Sequence, residues 1–126
     1  MAYFFLGPYF WQTKLVEAND PVLIDRTGNI TLGVTDPETL TVYIANNLSR
    51  DMRIKVLLHE LGHCAIFSFG LIDDIHKMVK KKYWIEAEEW VCNFIADYGV
   101  AIFRGAYQAL GNEVWTYIAQ KLEVMF

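Results

Sequence analysis

The chain of 126 residues lacks the features that mark several large classes of protein. Although 54% of its residues are hydrophobic, no stretch approaches the roughly 18 uncharged apolar residues that a membrane span requires. Its 11 cationic residues are outnumbered by 15 acidic ones, so no basic surface can displace many counterions from a nucleic acid. We therefore expect neither a membrane nor a nucleic acid as its partner.

Cysteine is also scarce, since Cys64 and Cys92 are the only two in the sequence. Both lie in apolar segments with helical spacing, and we interpret them as reduced core residues of a cytoplasmic protein. The opening residues lack the basic region of a secretory signal peptide, which agrees with that localisation. A chain of this length buries a core without a disulfide or a structural metal. Any bound metal is therefore expected to be catalytic.

The chain has no internal repeat, low-complexity stretch or linker, so residues 1–126 are expected to form a single domain. Short segments rich in β-branched and aromatic residues come first, and turn residues separate them. They predict strands at residues 3–6, 10–16, 22–24, 29–34 and 40–45. Apolar and polar residues alternate in the last of these, which predicts a strand with one face on helices and the other in solvent.

Helical periodicity begins after residue 47. The first helix is predicted at residues 50–69, with Ser49 as its N-cap and Gly70 as its stop. A connector at residues 70–82 is expected to be partly helical, and further helices are predicted at residues 83–103 and 112–124. This order predicts an α+β fold, in which an antiparallel or mixed sheet is followed by three to four helices.

The segment His59-Glu60-Leu61-Gly62-His63 lies inside the first helix. Residues four apart share a helix face, so the two imidazoles are expected to point at one spot. Neutral imidazole is a preferred zinc ligand. Glu60 projects at a neighbouring angle, within reach of a water molecule on that metal. The segment therefore predicts a metal ion and a general base in one place.

A catalytic zinc ion usually has three protein ligands, so the two histidines need a third from elsewhere in the chain. His76 lies among charged residues of the connector, and we expect it at the surface. The acidic residues Glu86, Glu88 and Glu89 at the start of the next helix are the better source. We favour Glu89 over the other two, and expect Glu86 to lie in water near the helix N-terminus.

The residues that follow Glu89 at helical spacing support this preference. Cys92 and Ala96 share its stripe and are small, so this helix can approach the first helix closely where Gly62 leaves room. Asn93, one turn after Glu89, is expected to hydrogen-bond a ligand histidine from the second layer around the metal.

With these two motifs, the chain resembles the ImmA/IrrE family of small zincin-like metallopeptidases, which occur in bacteria and on phages and other mobile elements. The family combines a strand and a Leu-Leu-His-Glu-Leu-Gly-His-type helix with a later helix carrying Glu-x-x-Ala-Asn-x-Phe-Ala. The match spans roughly residues 32–101, with Cys92 where the family often has Ala and Ile95 where it often has Phe. The resemblance implies that His59, His63 and Glu89 bind zinc and that Glu60 is the catalytic base.

The expected activity is hydrolysis of a peptide bond in a specific protein substrate, with Glu60 taking a proton from a metal-activated water. Strand 40–45 is expected to be an exposed sheet edge that accepts an extended peptide. Tyr43, Tyr83 and Tyr98 are candidates for a phenol that stabilises the oxyanion, and each also fits a packing role.

A second interpretation is a non-enzymatic protein-interaction module that keeps the same scaffold, with or without zinc. Its binding surface would be the aromatic N-terminal segment, which contains Tyr3, Phe4, Phe5, Tyr9, Phe10 and Trp11. The intact Glu60 favours the enzyme, because a structural zinc site has no need of a general base.

Overall fold

Four strands near the N-terminus form one mixed sheet, and four helices follow them, which confirms the predicted α+β fold. The computed structural model describes residues 2–125, without the side chains of residue 119 and residues 122–125. The strands are β1 Ala2–Leu6, β2 Tyr9–Val16, β3 Gly33–Asp36 and β4 Thr41–Ala45. The helices are α1 Arg50–Ser68, α2 Ile72–Met78, α3 Trp84–Leu110 and α4 Glu113–Met125.

The sheet has the strand order β1-β2-β4-β3. β1 and β2 form an antiparallel hairpin around Gly7, whose φ of 60° lies in the left-handed region that glycine adopts readily. β2 pairs parallel with β4, and β3 pairs antiparallel with β4. This arrangement places β4 in the interior of the sheet and β3 at its edge.

The segment between β2 and β3 differs from the prediction. Residues Pro21–Leu23 form a 3-10 helix instead of a strand, because the Asp20 side chain accepts a hydrogen bond from the Val22 N–H at 2.9 Å and caps it. The predicted strand 29–34 is also shifted, since β3 begins at Gly33 and continues through Asp36. Its register opposite β4 sets these bounds. Pairing with another strand therefore overrides the local turn signals.

β4 is not the half-buried edge strand that its sequence predicts. Thr41, Val42, Ile44 and Ala45 are all buried, and both α1 and the 3-10 helix contact the strand. The alternation of polar and apolar residues could not reveal this, because Thr and Ala are small enough to be buried as readily as exposed. The sheet edge beside α1 is β3.

The core lies between the sheet and α1, and consists of Trp11, Val42, Ile44 and Cys64. The Trp11 indole is fully buried and donates a hydrogen bond to the Ser68 hydroxyl at 2.9 Å. This bond ties the last turn of α1 to the sheet. Cys64 and Cys92 are both buried free thiols.

α1 begins as predicted, with the Ser49 hydroxyl accepting a hydrogen bond from the Met52 N–H at 3.3 Å. α3 is longer than predicted and ends at Leu110, because no residue before Gly111 breaks it. Among residues 2–125, no single helix is long and apolar enough to cross a membrane. The pair α1 and α2, bent by 97°, passes that test of length and composition only when taken together.

α1 and α3 cross at Gly62, as the small residues predict. A Cβ atom added to Gly62 would lie 3.0 Å from the Cys92 Sγ atom and 3.1 Å from the Cys92 Cα atom. Because a backbone atom is one of these neighbours, the two helices are as close as a glycine allows. This crossing brings the first turns of α3 to the motif face of α1.

We therefore predict that Gly62→Ala destabilises the metal-free protein by about 1–3 kcal/mol, since the methyl group forces α1 and α3 apart. Urea unfolding measures this free energy. Gly105→Ala, within α3, is the matched control because its added methyl group meets no atom within 4 Å. The control should be neutral or gain up to about 1 kcal/mol from helix propensity. Equal stabilities of the two variants would contradict the close crossing.

Candidate metal centre

His59 and His63 lie one turn apart on α1 and point their imidazoles at one spot. Their Nε2 atoms are 3.2 Å apart. Both side chains are largely buried, at the floor of a cavity between α1, α3 and β3. Regular helical geometry alone gives this arrangement, because residues i and i+4 stack on one face.

Glu89, on α3, completes a group of three. Its Oε2 atom lies 3.0 Å from the His59 Nε2 atom, and its Oε1 atom lies 3.2 Å from the His63 Nε2 atom. Ligands of a tetrahedral zinc ion with bonds of 2.0–2.1 Å are themselves about 3.3 Å apart. The donor types and their spacing therefore fit a zinc ion. Two overlapping groups that could hold a metal ion lie here, one of His59, Glu60 and His63 and the other of His63, Glu88 and Glu89.

The other acidic residues of α3 lie elsewhere. Glu86 is exposed at the start of the helix. Glu88 is buried behind the His63 ring, where its Oε2 atom accepts a hydrogen bond from His63 Nδ1 at 2.6 Å. His76 is outside the cluster, and its ring stacks on Trp84 with 3.8 Å between centroids instead of standing free at the surface.

Glu88 takes the supporting role that the sequence suggested for Asn93. Asn93 lines the cavity, but in the described part of the chain no hydrogen bond joins it to either histidine. Glu88 fixes the orientation of the His63 ring and directs its Nε2 atom towards Glu89. The helical stripe suggested Asn93 because it took account of spacing along α3 but not of the angle at which α3 crosses α1.

Arg26 is a site residue that the sequence did not suggest. Its guanidinium donates to both Glu88 oxygens, at 3.3 Å to Oε1 and 2.9 Å to Oε2, and lies 3.5 Å from the Glu89 Oε1 atom. Arg26 and Glu88 are separated by 62 positions. No motif or periodicity connects residues at that separation, so only the fold could reveal the contact.

Glu60 is buried next to His59, His63 and Glu89, with 5% of its surface exposed. Its Oε2 atom lies 3.8 Å from the His59 Nε2 atom, too far for a hydrogen bond. The Thr35 hydroxyl lies 2.9 Å from Glu60 Oε1 and holds the carboxylate in place from β3. Burial raises the pKa of Glu60 above its usual value, despite the nearby histidines and the Thr35 hydrogen bond.

In the absence of a metal ion, the histidines and Glu89 stabilise each other's charged forms. The contact with Glu89 raises the pKa of His59. Burial lowers the pKa of His63, but its contacts with Cys92, Glu88 and Glu89 outweigh burial and raise it to about 12. The same histidine contacts hold the pKa of Glu89 well below its usual range. A divalent cation bound here would replace protons that the imidazoles otherwise carry.

The cavity around these residues has a volume of about 680 Å³. Apolar residues of α1 line it on both sides of the histidines, with Met52 and Val56 before them and Ile66 and Phe67 after them. Tyr43, Tyr83 and Tyr98 are not among its lining residues. The N–H donors on its wall include the side chains of Arg26, Lys55 and Asn93.

No protein-family model matches this chain, and no curated protein matches it significantly.

We predict that Glu89→Ala weakens zinc binding by more than about 100-fold, because loss of even a supporting residue outside the ligand shell costs 10–100-fold. Competition with a chromophoric chelator measures the affinity. Glu86→Ala removes an exposed carboxylate from the same end of α3 and should leave zinc affinity unchanged. Equal losses in the two variants would show that the acidic cluster acts only through its overall charge.

Proposed function

We propose that the protein is a zinc-dependent metallopeptidase, in which His59, His63 and Glu89 bind the metal and Glu60 is the general base. The observation that carries this proposal is the meeting of two Nε2 atoms and the Glu89 carboxylate within 3.0–3.2 Å, beside the buried carboxyl side chain of Glu60. A structural metal site would have no use for that additional carboxylate. The motif resemblance to the ImmA/IrrE family supports the same assignment.

When bound, zinc polarises a peptide carbonyl and lowers the pKa of a water molecule to about 7. Glu60 accepts a proton from the water that attacks the carbonyl carbon. It then delivers that proton to the nitrogen as the C–N bond breaks, so that a carboxylate and an amine are released. Burial raises the pKa of Glu60 above its usual value, which makes its carboxylate a stronger proton acceptor.

Glu88 supports the reaction without contacting substrate. By accepting the His63 Nδ1–H hydrogen bond, it fixes the tautomer in which Nε2 keeps its lone pair. A carboxylate on the far side of a ligand imidazole also makes that imidazole a stronger donor to the metal. Both effects favour tight metal binding.

An extended peptide substrate is best placed along β3. This strand pairs with β4 alone among the described strands, so its other edge faces the cavity, and Gly33, Val34 and Thr35 line the cavity wall. Main-chain hydrogen bonds to a sheet edge bind peptides with little dependence on side chains. β4, which the sequence suggested for this role, is in the sheet interior. The partner we propose is a specific protein whose cleaved segment is extended.

One observation favours the alternative of a protein-interaction module. Tyr3, Phe5 and Phe10 form an exposed aromatic cluster on the β1–β2 hairpin, with 5.3 Å between the Tyr3 and Phe10 ring centroids. Trp11 is buried and Phe4 packs against the core, so these two residues of the aromatic segment do not contribute to such a surface. A binding role for this cluster is compatible with catalysis at the zinc site.

We predict that Glu60→Gln keeps zinc affinity within a few-fold of the wild type and lowers peptide cleavage by about 10²–10⁴-fold, the usual contribution of a general base. The variant retains the size of the side chain and loses the proton acceptor. Zinc content by mass spectrometry and digestion of a proteome-derived peptide library are the two measurements. Glu86→Gln is the control and should cleave like the wild type.

The outcome separates the two functions. Zinc in both proteins with cleavage by the wild type alone supports the peptidase. Zinc without cleavage by either protein contradicts the peptidase and favours the interaction module. Cleavage by Glu60→Gln at the wild-type rate would remove Glu60 from the mechanism.

Thr35 provides a separate prediction, because its hydroxyl holds the base. Thr35→Val keeps the shape of the side chain but removes the hydrogen bond to Glu60, so we expect turnover to fall by about 10-fold, equivalent to about 1.4 kcal/mol. Thr35→Ser retains the hydroxyl and should retain most of the activity. Single-turnover cleavage by zinc-loaded protein measures the effect. Equal activity of the Val and Ser variants would contradict this role.

A further inference from the structure

Arg26 lies in the loop between the 3-10 helix and β3, far from the motif in sequence, and reaches into the metal centre. Its guanidinium forms a bidentate pair of hydrogen bonds with the buried Glu88 carboxylate. It also lies 3.5 Å from the Glu89 Oε1 atom. One cation therefore contacts both the carboxylate that orients His63 and the carboxylate that completes the ligand set.

The backbone of this loop is fixed by Asp25. The Asp25 Oδ1 atom accepts hydrogen bonds from the Thr27 N–H at 2.9 Å and the Asn29 N–H at 3.2 Å. Gly28 adopts a φ of 85°, which closes the turn, and its N–H donates to the Asp25 carbonyl at 3.0 Å. Arg26 therefore projects from a preorganised turn, which fixes the position of its backbone relative to Glu88 and Glu89.

Arg26 also offsets negative charge at the site. Three carboxylates, Glu60, Glu88 and Glu89, lie at or next to the two imidazoles. A divalent ion balances two of the three negative charges, and Arg26 supplies the third positive charge. Lys55, which also lines the cavity, pairs with Asp97 at 3.1 Å, and within residues 2–125 it forms no ion pair with the three glutamates.

We propose that Arg26 is a positioning residue for the metal centre, an inference that rests on the function proposed above. It holds Glu88 in the orientation that fixes the His63 ring, and it restrains Glu89 so that the carboxylate meets both Nε2 atoms. It contacts neither the metal nor the substrate in this role. A planar guanidinium suits the task because its two parallel N–H groups match the two carboxylate oxygens.

A positioning role for Arg26 can be distinguished from a simple effect of its charge by whether its removal weakens or strengthens zinc binding. A positive charge near a cation site repels the cation, so its removal on electrostatic grounds alone would strengthen zinc binding. Removal of a positioning residue would weaken zinc binding, because Glu88 and Glu89 would lose their orientation. The two explanations therefore predict opposite results for Arg26→Ala.

The experiment measures zinc affinity by chelator competition at constant pH and ionic strength for the wild type, Arg26→Ala, Arg26→Lys and Lys55→Ala. We expect Arg26→Ala to bind zinc about 10–100-fold more weakly than the wild type, as for other residues that support metal ligands. Arg26→Lys keeps the charge but not the bidentate hydrogen bonds. It should therefore recover only part of the zinc affinity that Arg26→Ala loses. Lys55→Ala, which removes a charge from the same cavity wall, should bind zinc as tightly as the wild type or slightly more tightly.

The visible spectrum of Co²⁺-substituted protein gives a second readout, and we expect Arg26→Ala to alter its d–d bands while Lys55→Ala leaves them unchanged. Circular dichroism of the metal-free proteins checks folding. If Arg26→Ala does not fold, the zinc affinity of Arg26→Lys tests the proposal instead. Zinc binding by Arg26→Lys as tight as that of the wild type overturns the proposal. Unchanged or tighter zinc binding by folded Arg26→Ala also overturns it. A wild type that binds no zinc is a different failure, because it removes the metal centre itself.

Discussion

The close crossing of α1 and α3 is the constraint on which the site depends. Gly62 has no side chain at the point where the Cys92 backbone and thiol lie against α1. The first turns of α3 can therefore bring their carboxylates into contact with the histidines. The crossing angle directs Glu89 to the two Nε2 atoms and Glu88 to the opposite side of the His63 ring. A bulkier residue at this contact would separate the donors even if every ligand were still present.

The sheet also shapes the site, because residues of β3 pack against α1. A Cβ atom on Gly33 would lie 2.7 Å from the Val56 Cγ1 atom and 3.2 Å from the Glu60 Cγ atom, so the strand and the helix are in tight contact there. Thr35, two residues later, contacts Glu60. The Glu60 carboxylate is thus restrained by β3 as well as by its own helix, which keeps it close to the histidines without a hydrogen bond to either.

The sequence predicted those features of the site that are set by residue spacing within a single helix. Helical spacing placed the two imidazoles together, and small residues on α3 indicated a close approach to Gly62. The strand predicted at residues 22–24 was wrong, because the Asp20 side chain caps a 3-10 helix there. The edge position predicted for residues 40–45 was also wrong, because strand order depends on pairing between distant segments. The Arg26 contact with Glu88 was missed for the same reason, and Asn93 was named where Glu88 provides the hydrogen bond.

We propose that His59, His63 and Glu89 bind one zinc ion. An anomalous difference map from crystals of the zinc-loaded protein, recorded on either side of the zinc absorption edge, tests it most directly. We expect one strong peak about 2.0–2.2 Å from His59 Nε2, His63 Nε2 and a Glu89 oxygen. The absence of a peak there, or a zinc ion held by other residues, would contradict the account.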